Sequence, residues 1–397
     1  MEGFRLAEVR IKGLRCLADV RLKLGPLTVL IGENGVGKSS IIEALEILRR
    51  LSGENFWYDF NAIHSGTSLI QPGPKSLDLA VTLRNGADSL NYSIVLTPGG
   101  VGQERLIAYS GGGGPDPVFV RVGTRLDVAG GGPHNAPSPD RPAISFLGGA
   151  APERVSIVRE ALRAIEVHVP FDVTPSWIAQ GSQTRSPVRE ASMLMPTTVL
   201  ERRAANLAST LFALRSNFGE THWQETLEYI RLGLGEDLET VTTPVAPNGG
   251  YVSIAIKYRG MDRLIQGSEL SDGMVVWLGL VVLLRLPGTG SLLAFDEPDL
   301  HLHPALLARA VGLFESIATT RPVLVATHSD RFLDYLTQPA SSVVVCELAK
   351  GRHTRLARPD PDALARWLDG YRGYGDLRSA GQEALVIRPE TPAEDER

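Results

Sequence analysis

The chain has 397 residues, of which 43% are hydrophobic and 21% charged, the composition of an ordinary globular protein that can bury a sizeable core and for which disorder is not the default. Its formal net charge of −5 excludes a protein built mainly to coat phosphate backbones, although a local basic groove remains open. Two cysteines, Cys16 and Cys346, are too few and too far apart for a disulfide framework or a zinc site, and predict packing residues in a reducing cytoplasm.

Met1-Glu2-Gly3-Phe4-Arg5 lacks the charged-then-apolar pattern of an export signal, so a cytoplasmic protein without a membrane partner is expected. Val9 and Ile11, then Val20, Leu22 and Leu24, alternate with polar neighbours and predict an opening antiparallel hairpin. Leu27 to Ile31 is apolar throughout, as in a strand covered on both faces. It runs into the glycine-rich Gly32 to Gly37, after which Ile41, Ile42, Ala44, Leu45, Leu48 and Leu51 recur at helical spacing.

Leu77 to Leu83 and Tyr92 to Leu96, separated by Asn85-Gly86, predict antiparallel strands in a layer that extends to about Val128. Gly111 to Gly114 and Gly130 to Gly132, with Pro133, Pro137 and Pro139, predict loops without regular structure. Val155, Val158, Leu162 and Ile165 form one helical stripe, and further helices are expected over Leu200–Leu214 and Trp223–Leu232. Arg202-Arg203 is expected to be solvated surface. Val252, Ile254 and Ile256 alternate as a strand, and Met274–Leu284 is too short to cross a bilayer and predicts a buried helix. Leu292–Phe295, Val323–Ala326 and Val343–Cys346, with helices between them, predict a parallel sheet.

Gly32-Glu33-Asn34-Gly35-Val36-Gly37-Lys38-Ser39 fits the pattern of a phosphate-binding loop, with the strand before it and the helix after it that this chemistry requires. Its glycines let backbone N–H groups curl around phosphate oxygens, and the helix N-terminus adds its dipole. Glu33, Asn34, Gly35, Val36, Gly37, Lys38, Ser39 and Ser40 are therefore the candidate nucleotide contacts, with Lys38 on the β and γ phosphates and Ser39 on Mg²⁺. Asp296 and Glu297 end a core strand, where Asp296 can hold the metal shell and Glu297 can polarise an attacking water. Ser271, Asp272 and Gly273 open the apolar helix and supply a second candidate anion site, while His328 ends another core strand.

Phosphate loop, Leu270-Ser271-Asp272-Gly273, Asp296-Glu297-Pro298 and Thr327-His328-Ser329, in this order, resemble the ABC-type ATPases, specifically the SMC/RecF/OLD branch. Ile11-Lys12-Gly13-Leu14-Arg15 and Pro298-Asp299-Leu300-His301-Leu302-His303-Pro304 resemble its stand-alone bacterial AAA-type members, whereas about 53–251 matches only loosely. The resemblance implies an α/β P-loop ABC-type ATPase head with an antiparallel β layer and an inserted helical lobe. It also implies ATP and Mg²⁺ as ligands, and a head-to-tail homodimer or higher oligomer sandwiching ATP. Ser271 and Gly273 would then contact ATP on the partner, His328 would sense the γ-phosphate in its own head, Glu297, His328 and Lys38 would be catalytic, and Asp299 would couple the two sites. Division into a head of 1–52 with 252–397, a β subdomain of 53–150 and a helical lobe of 151–251 is expected.

DNA or a separately encoded nuclease or other effector, in genome maintenance or phage defence, is the partner class implied. The family's coupling glutamine has four candidates, Gln71, Gln103, Gln180 and Gln183, none after a convincing strand. An ABC transporter subunit is disfavoured by the roughly 230 residues between Lys38 and Ser268, and a fused nuclease by the roughly 70 residues after His328. Asp360-Pro361-Asp362 mimics a metal pair, but Asp362 is expected to cap a helix over 363–368. His301 and His303 fall short of the four ligands of a zinc site. An ATP-binding scaffold with little turnover is the remaining alternative.

Overall fold

Five consecutive apolar residues can be buried on both faces only in the middle of a covered sheet, and Leu27–Ile31 does this in the computed structural model. Described residues are 3–70, 76–111, 113–130, 132–136, 138–147, 152–174, 186–196, 199–287, 290–349, 351–368 and 373–389. The chain runs β1 (Arg5–Lys12), β2 (Val20–Lys23), β3 (Leu27–Ile31), α1 (Lys38–Arg50), α2 (Phe56–His64), β4 (Leu77–Asn85), β5 (Asp88–Thr97), β6 (Gly100–Tyr109), β7 (Asp116–Val122), β8 (Arg125–Val128) and β9 (Gly132–Asn135). There follow α3 (Ala143–Phe146), α4 (Glu153–Arg163), β10 (Ile165–His168), β11 (Ser192–Met193), α5 (Leu207–Asn217), α6 (Glu220–Leu234), β12 (Leu238–Thr242), β13 (Tyr251–Val252), β14 (Ala255–Tyr258) and β15 (Ile265–Gln266). The last third contains α7 (Asp272–Arg285), β16 (Leu292–Asp296), α8 (Pro304–Ala318), β17 (Val323–Thr327), α9 (Asp330–Asp334), α10 (Pro339–Ser342), β18 (Val343–Leu348), β19 (Thr354–Pro359), α11 (Pro361–Leu368), α12 (Tyr374–Ser379) and β20 (Ile387–Pro389).

Two sheets carry the fold. The first has the order β10-β16-β17-β3-β18-β19-β20, parallel from β10 to β18 and antiparallel at β19 and β20. The second is antiparallel, β2-β1-β4-β5-β6-β7-β8-β9. Alternation along β3 divides the core: Val29 and Ile31 join α5–α8 on one side, while Leu30 joins α1 and the antiparallel sheet on the other. Helix α1 is thus held between the two sheets and the start of its first turn is fixed.

Several expectations are corrected. Ile165 leaves the helical stripe and enters β10, because pairing with Leu292 offers its backbone a parallel ladder that α4 does not extend to reach. The helix expected from Leu200 begins at Leu207, with Ala204 in the left-handed region at φ 59°. Val252 and Ile256 fall on separate strands, and Gly132–Asn135, expected as loop, pairs with β8. Helix α11 is capped by Asp360, whose Oδ1 accepts from the Ala363 N–H at 2.8 Å, and not by Asp362. Arg203 is exposed, but Arg202 is half-buried and its Nε is fully buried without a hydrogen-bond partner among the described residues. Because β1 and β2 belong to the antiparallel sheet and β10 to the parallel one, divisions after 52 and 150 do not follow the sheets. No helix among the described residues is long and apolar enough to cross a membrane.

Candidate functional site

Parallel pairing brings the carboxyl ends of β3, β17 and β16 to one edge: Thr327 lies opposite Ile31, and Ala326 opposite Asp296. Chain crossovers leave such an edge open for ligands. The phosphate loop, the Asp296-Glu297 pair and His328 all emerge there, although they are separated by almost 300 residues in sequence.

The loop between β3 and α1 requires two close backbone approaches. A Cβ on Gly32 would collide with the Cys346 carbonyl oxygen, and one on Gly37, at φ 105°, would lie 2.6 Å from Thr354 Oγ1. Thr354 in turn donates to the Val36 carbonyl at 2.7 Å, so β19 braces the loop from behind. Glu33, Asn34, Gly35 and Ser39 are exposed, while Val36, Gly37, Lys38 and Ser40 are buried. Lys38 Nζ donates to the carbonyls of Gly32 at 2.7 Å and Glu33 at 3.0 Å, which holds an ammonium inside the loop's curve.

Asp296 faces this loop from β16. Burial pushes its carboxyl above the usual aspartate range, against the opposing pull of the Ser39 hydroxyl and the Lys38 ammonium. Its Oδ1 is fully buried and has no hydrogen-bond partner among the described residues. A buried carboxylate oxygen left unpaired costs about 1–3 kcal/mol, and together with a neighbouring serine hydroxyl it matches the hard oxygen set that Mg²⁺ takes. The residues present therefore fit that ion.

Glu297 stands next in sequence with φ 49°, a left-handed conformation that non-glycine residues rarely adopt. Its amide donates to the Ala326 carbonyl at 2.7 Å, which fixes the turn on β17. Oε2 lies 2.7 Å from His328 Nδ1 and accepts from the His328 N–H at 3.3 Å. Burial raises the Glu297 pKa, the Asp299 carboxylate adds to the rise, and His328 opposes both. Asp299 Oδ1 accepts from Thr327 Oγ1 at 2.6 Å, and that hydroxyl accepts from the Ser329 N–H at 3.0 Å. Glu297, Asp299 and His328 thus bring ligand-type atoms within 4.8 Å of one another, each with a protein partner already in place.

Ser271, Asp272 and Gly273 lie elsewhere. Ser271 caps α7, its hydroxyl accepting from the Met274 N–H at 3.4 Å. The buried Arg189 crosses from the inserted segment to bond the Leu270 carbonyl and Asp272, while His301 Nδ1 stands 3.4 Å from Asp272. These residues line an open depression of about 750 Å³ together with Ser268, Glu269, His303 and Leu306, and none of its described lining residues comes from the phosphate loop. Among the coupling-glutamine candidates, Gln103 is exposed on β6, and Gln71, Gln180 and Gln183 lie outside the described residues.

Comparison with known proteins bears on this arrangement. Residues 5–91 match the family model described as "AAA ATPase domain", and residues 214–334 match "AAA domain, putative AbiEii toxin, Type IV TA system". An OLD nuclease of Thermus scotoductus is 44% identical over 43 residues, which are 11% of this chain and 8% of that protein. The DNA replication and repair protein RecF of Paenarthrobacter aurescens is 40% identical over 63 residues, 16% of each chain. The matched stretches thus span well under two thirds of these curated relatives. An SMC head solved bound to the C-terminal winged-helix domain of ScpA has TM-score 0.53 at 15% identity, covering 89% of this chain and 96% of that one. A Pyrococcus furiosus SMC head with an extended coiled coil has TM-score 0.51 at 14% identity, covering 92% and 99%.

Together these matches support an SMC/RecF/OLD-like ATPase. Both matched intervals carry the motifs of the candidate site, and they end at 91 and 334. Two residues that brace the motifs of this ATPase, Arg189 and Thr354, lie outside those intervals and had no signal in the sequence. An arginine among loop residues has no periodicity to mark it, and Thr354 is one of many β-branched residues in strands.

Proposed function

We propose that this ATPase hydrolyses Mg-ATP at the edge formed by β3, β16 and β17, and that two copies close head to tail around the nucleotide. The observation that carries the reading is Glu297, held at φ 49° with its carboxylate 2.7 Å from His328 Nδ1 and next to the unpaired Asp296 oxygen. A strained, oriented carboxylate beside a site suited to a cation is what in-line attack of water on a phosphoryl group calls for.

Ser39 and Asp296 would hold Mg²⁺, which when bound neutralises charge on the phosphate oxygens. Lys38 leaves its loop carbonyls to meet the β and γ phosphates, and the N–H groups of Glu33–Ser40 curl around them. Glu297 orients the attacking water and accepts its proton as the oxygen bonds to γ-phosphorus and the bond to ADP breaks. His328 fixes the Glu297 carboxylate and meets the γ-phosphate.

Ser271–Gly273 open onto a depression apart from the phosphate loop of their own chain, which favours a role on ATP held by a second copy. The working head we propose combines both chain ends with β10, and carries the antiparallel sheet and the α5–α6 region as attachments. Nucleotide-driven closure would control DNA or a separately encoded effector such as a nuclease, in genome maintenance or phage defence, in a cytoplasmic setting. The names of the OLD nuclease and RecF relatives support this reading. Phosphate release from Mg-ATP tests the catalytic part: wild type should turn over, and Glu297→Gln should lose at least about a hundredfold in kcat while retaining nucleotide. Turnover by the variant within about twofold of wild type would remove Glu297 from the mechanism.

A further inference from the structure

The segment directly after His328 is held at both ends by residues from the end of the described chain, beyond the interval that the family models match. Asp330 begins α9 and receives Arg378 on Oδ1 and the Ser379 hydroxyl on Oδ2, the latter at 2.8 Å. Arg378 also donates from Nε to Glu383 at 3.1 Å, and Tyr374, itself fully buried, donates its hydroxyl to the same carboxylate at 2.9 Å. At the other end of α9, Asp334 Oδ1 accepts from the Asp376 N–H at 2.8 Å.

The backbones of the two helices are in contact as well. A Cβ on Gly373 would meet the Asp334 backbone at 2.8 Å, and one on Gly375 would collide with the Asp330 carbonyl. These glycines let α12 lie directly on α9. The opposite end of the same stretch is fixed at the site, through Thr327 on Asp299 and His328 on Glu297. Between the two anchors stands only Ser329, so a shift of α9 has a single residue of backbone in which to be absorbed before it reaches His328.

We propose that residues 373–386 form a clamp in which Arg378, by holding Asp330, positions His328 against Glu297 for hydrolysis. The proposal rests on the catalytic reading above, and Arg378 is a positioning residue that touches no substrate. A displaced orienting group lowers the rate of the chemical step and leaves nucleotide affinity to the phosphate loop. Misplacement of about 1 Å can cost up to a hundredfold.

The test is a double-mutant cycle on the full chain, with kcat and KM for Mg-ATP measured well below the melting temperature. Arg378→Ala should lower kcat about tenfold or more with KM within about twofold, and Arg378→Lys should restore part of the loss. In a His328→Ala background the same Arg378→Ala change should alter kcat by less than about twofold, because the side chain it positions is gone. A purely structural role would give equal losses in both backgrounds, and that additivity would overturn the proposal. If Arg378→Ala fails to fold, Asp330→Asn keeps the Ser379 contact, removes the charge that Arg378 holds, and is read in the same cycle. Full activity of Glu297→Gln or His328→Ala alone would instead defeat the catalytic reading, which separates the two failures.

Discussion

Replacing Asp296 by asparagine removes a charge that the ligand-free fold has to bury. Oδ1 has no hydrogen-bond partner among the described residues, and burial is the largest influence on the carboxyl, raising its pKa. A raised folded-state pKa means that the folded chain binds its proton more tightly than the unfolded chain does. The associated stability is present at low pH and lost as pH rises through the folded value, so at neutral pH the ionised group is a net cost. Removing the charge at constant shape should recover about 1 kcal/mol of the penalty for an unpaired buried carboxylate oxygen, or about 1–3 °C in a chain of this size. Function should move the other way. Without that carboxylate Mg-ATP should no longer add to stability, and hydrolysis should fall at least about a hundredfold. Thermal unfolding of wild type and Asp296→Asn at pH 7.5 (about neutral, above the ordinary carboxyl range), each with and without Mg-ATP, reads both effects. A melting temperature well below wild type without ligand, or an undiminished Mg-ATP shift, would refute the assignment of Asp296 as a site prepared for a cation.

Two glycines of the phosphate loop should separate in denaturant unfolding of the ligand-free chain. Gly37→Ala meets Thr354 and Cys16 and should lose about 2 kcal/mol or more, while Gly35→Ala, at φ 80° with no atom of the described residues within 4 Å of the added carbon, should lose only the backbone strain of about 1–2 kcal/mol. Equal losses would contradict the bracing of the loop by β19. For Glu297 the raised pKa means that kcat should fall as pH drops through a value above the ordinary glutamate range, because the ionised form is the one that accepts a proton. Asp299→Asn should move that acid limb to lower pH and His328→Ala to higher pH, and a limb that does not respond to either would show that another group controls it.

The elements legible in the sequence were those whose burial pattern is local. Leu27–Ile31 has a single reading as a strand covered on both faces, and the loop after it carries its chemistry in consecutive residues. Leu292–Asp296 and Val323–Thr327 are legible for the same reason. Misreadings arose where a distant partner decides. Ile165 continues a helical spacing from Leu162, yet pairing with β16 draws it into a sheet. Asp360 and Asp362 flank Pro361, and the preference of proline for the first helical position identifies Asp360 as the cap, a signal present but not used. Arg189 and Arg378 had no local signal, because each acts on a segment 48 or more residues away.

Closure of two heads is the centre of the functional account. The most direct measurement is the solution mass of Glu297→Gln by light scattering, with and without Mg-ATP. The account predicts a nucleotide-dependent increase to at least twice the monomer mass, abolished by Ser271→Arg. An unchanged monomer with ATP demonstrably bound would contradict head-to-tail closure of this chain by itself.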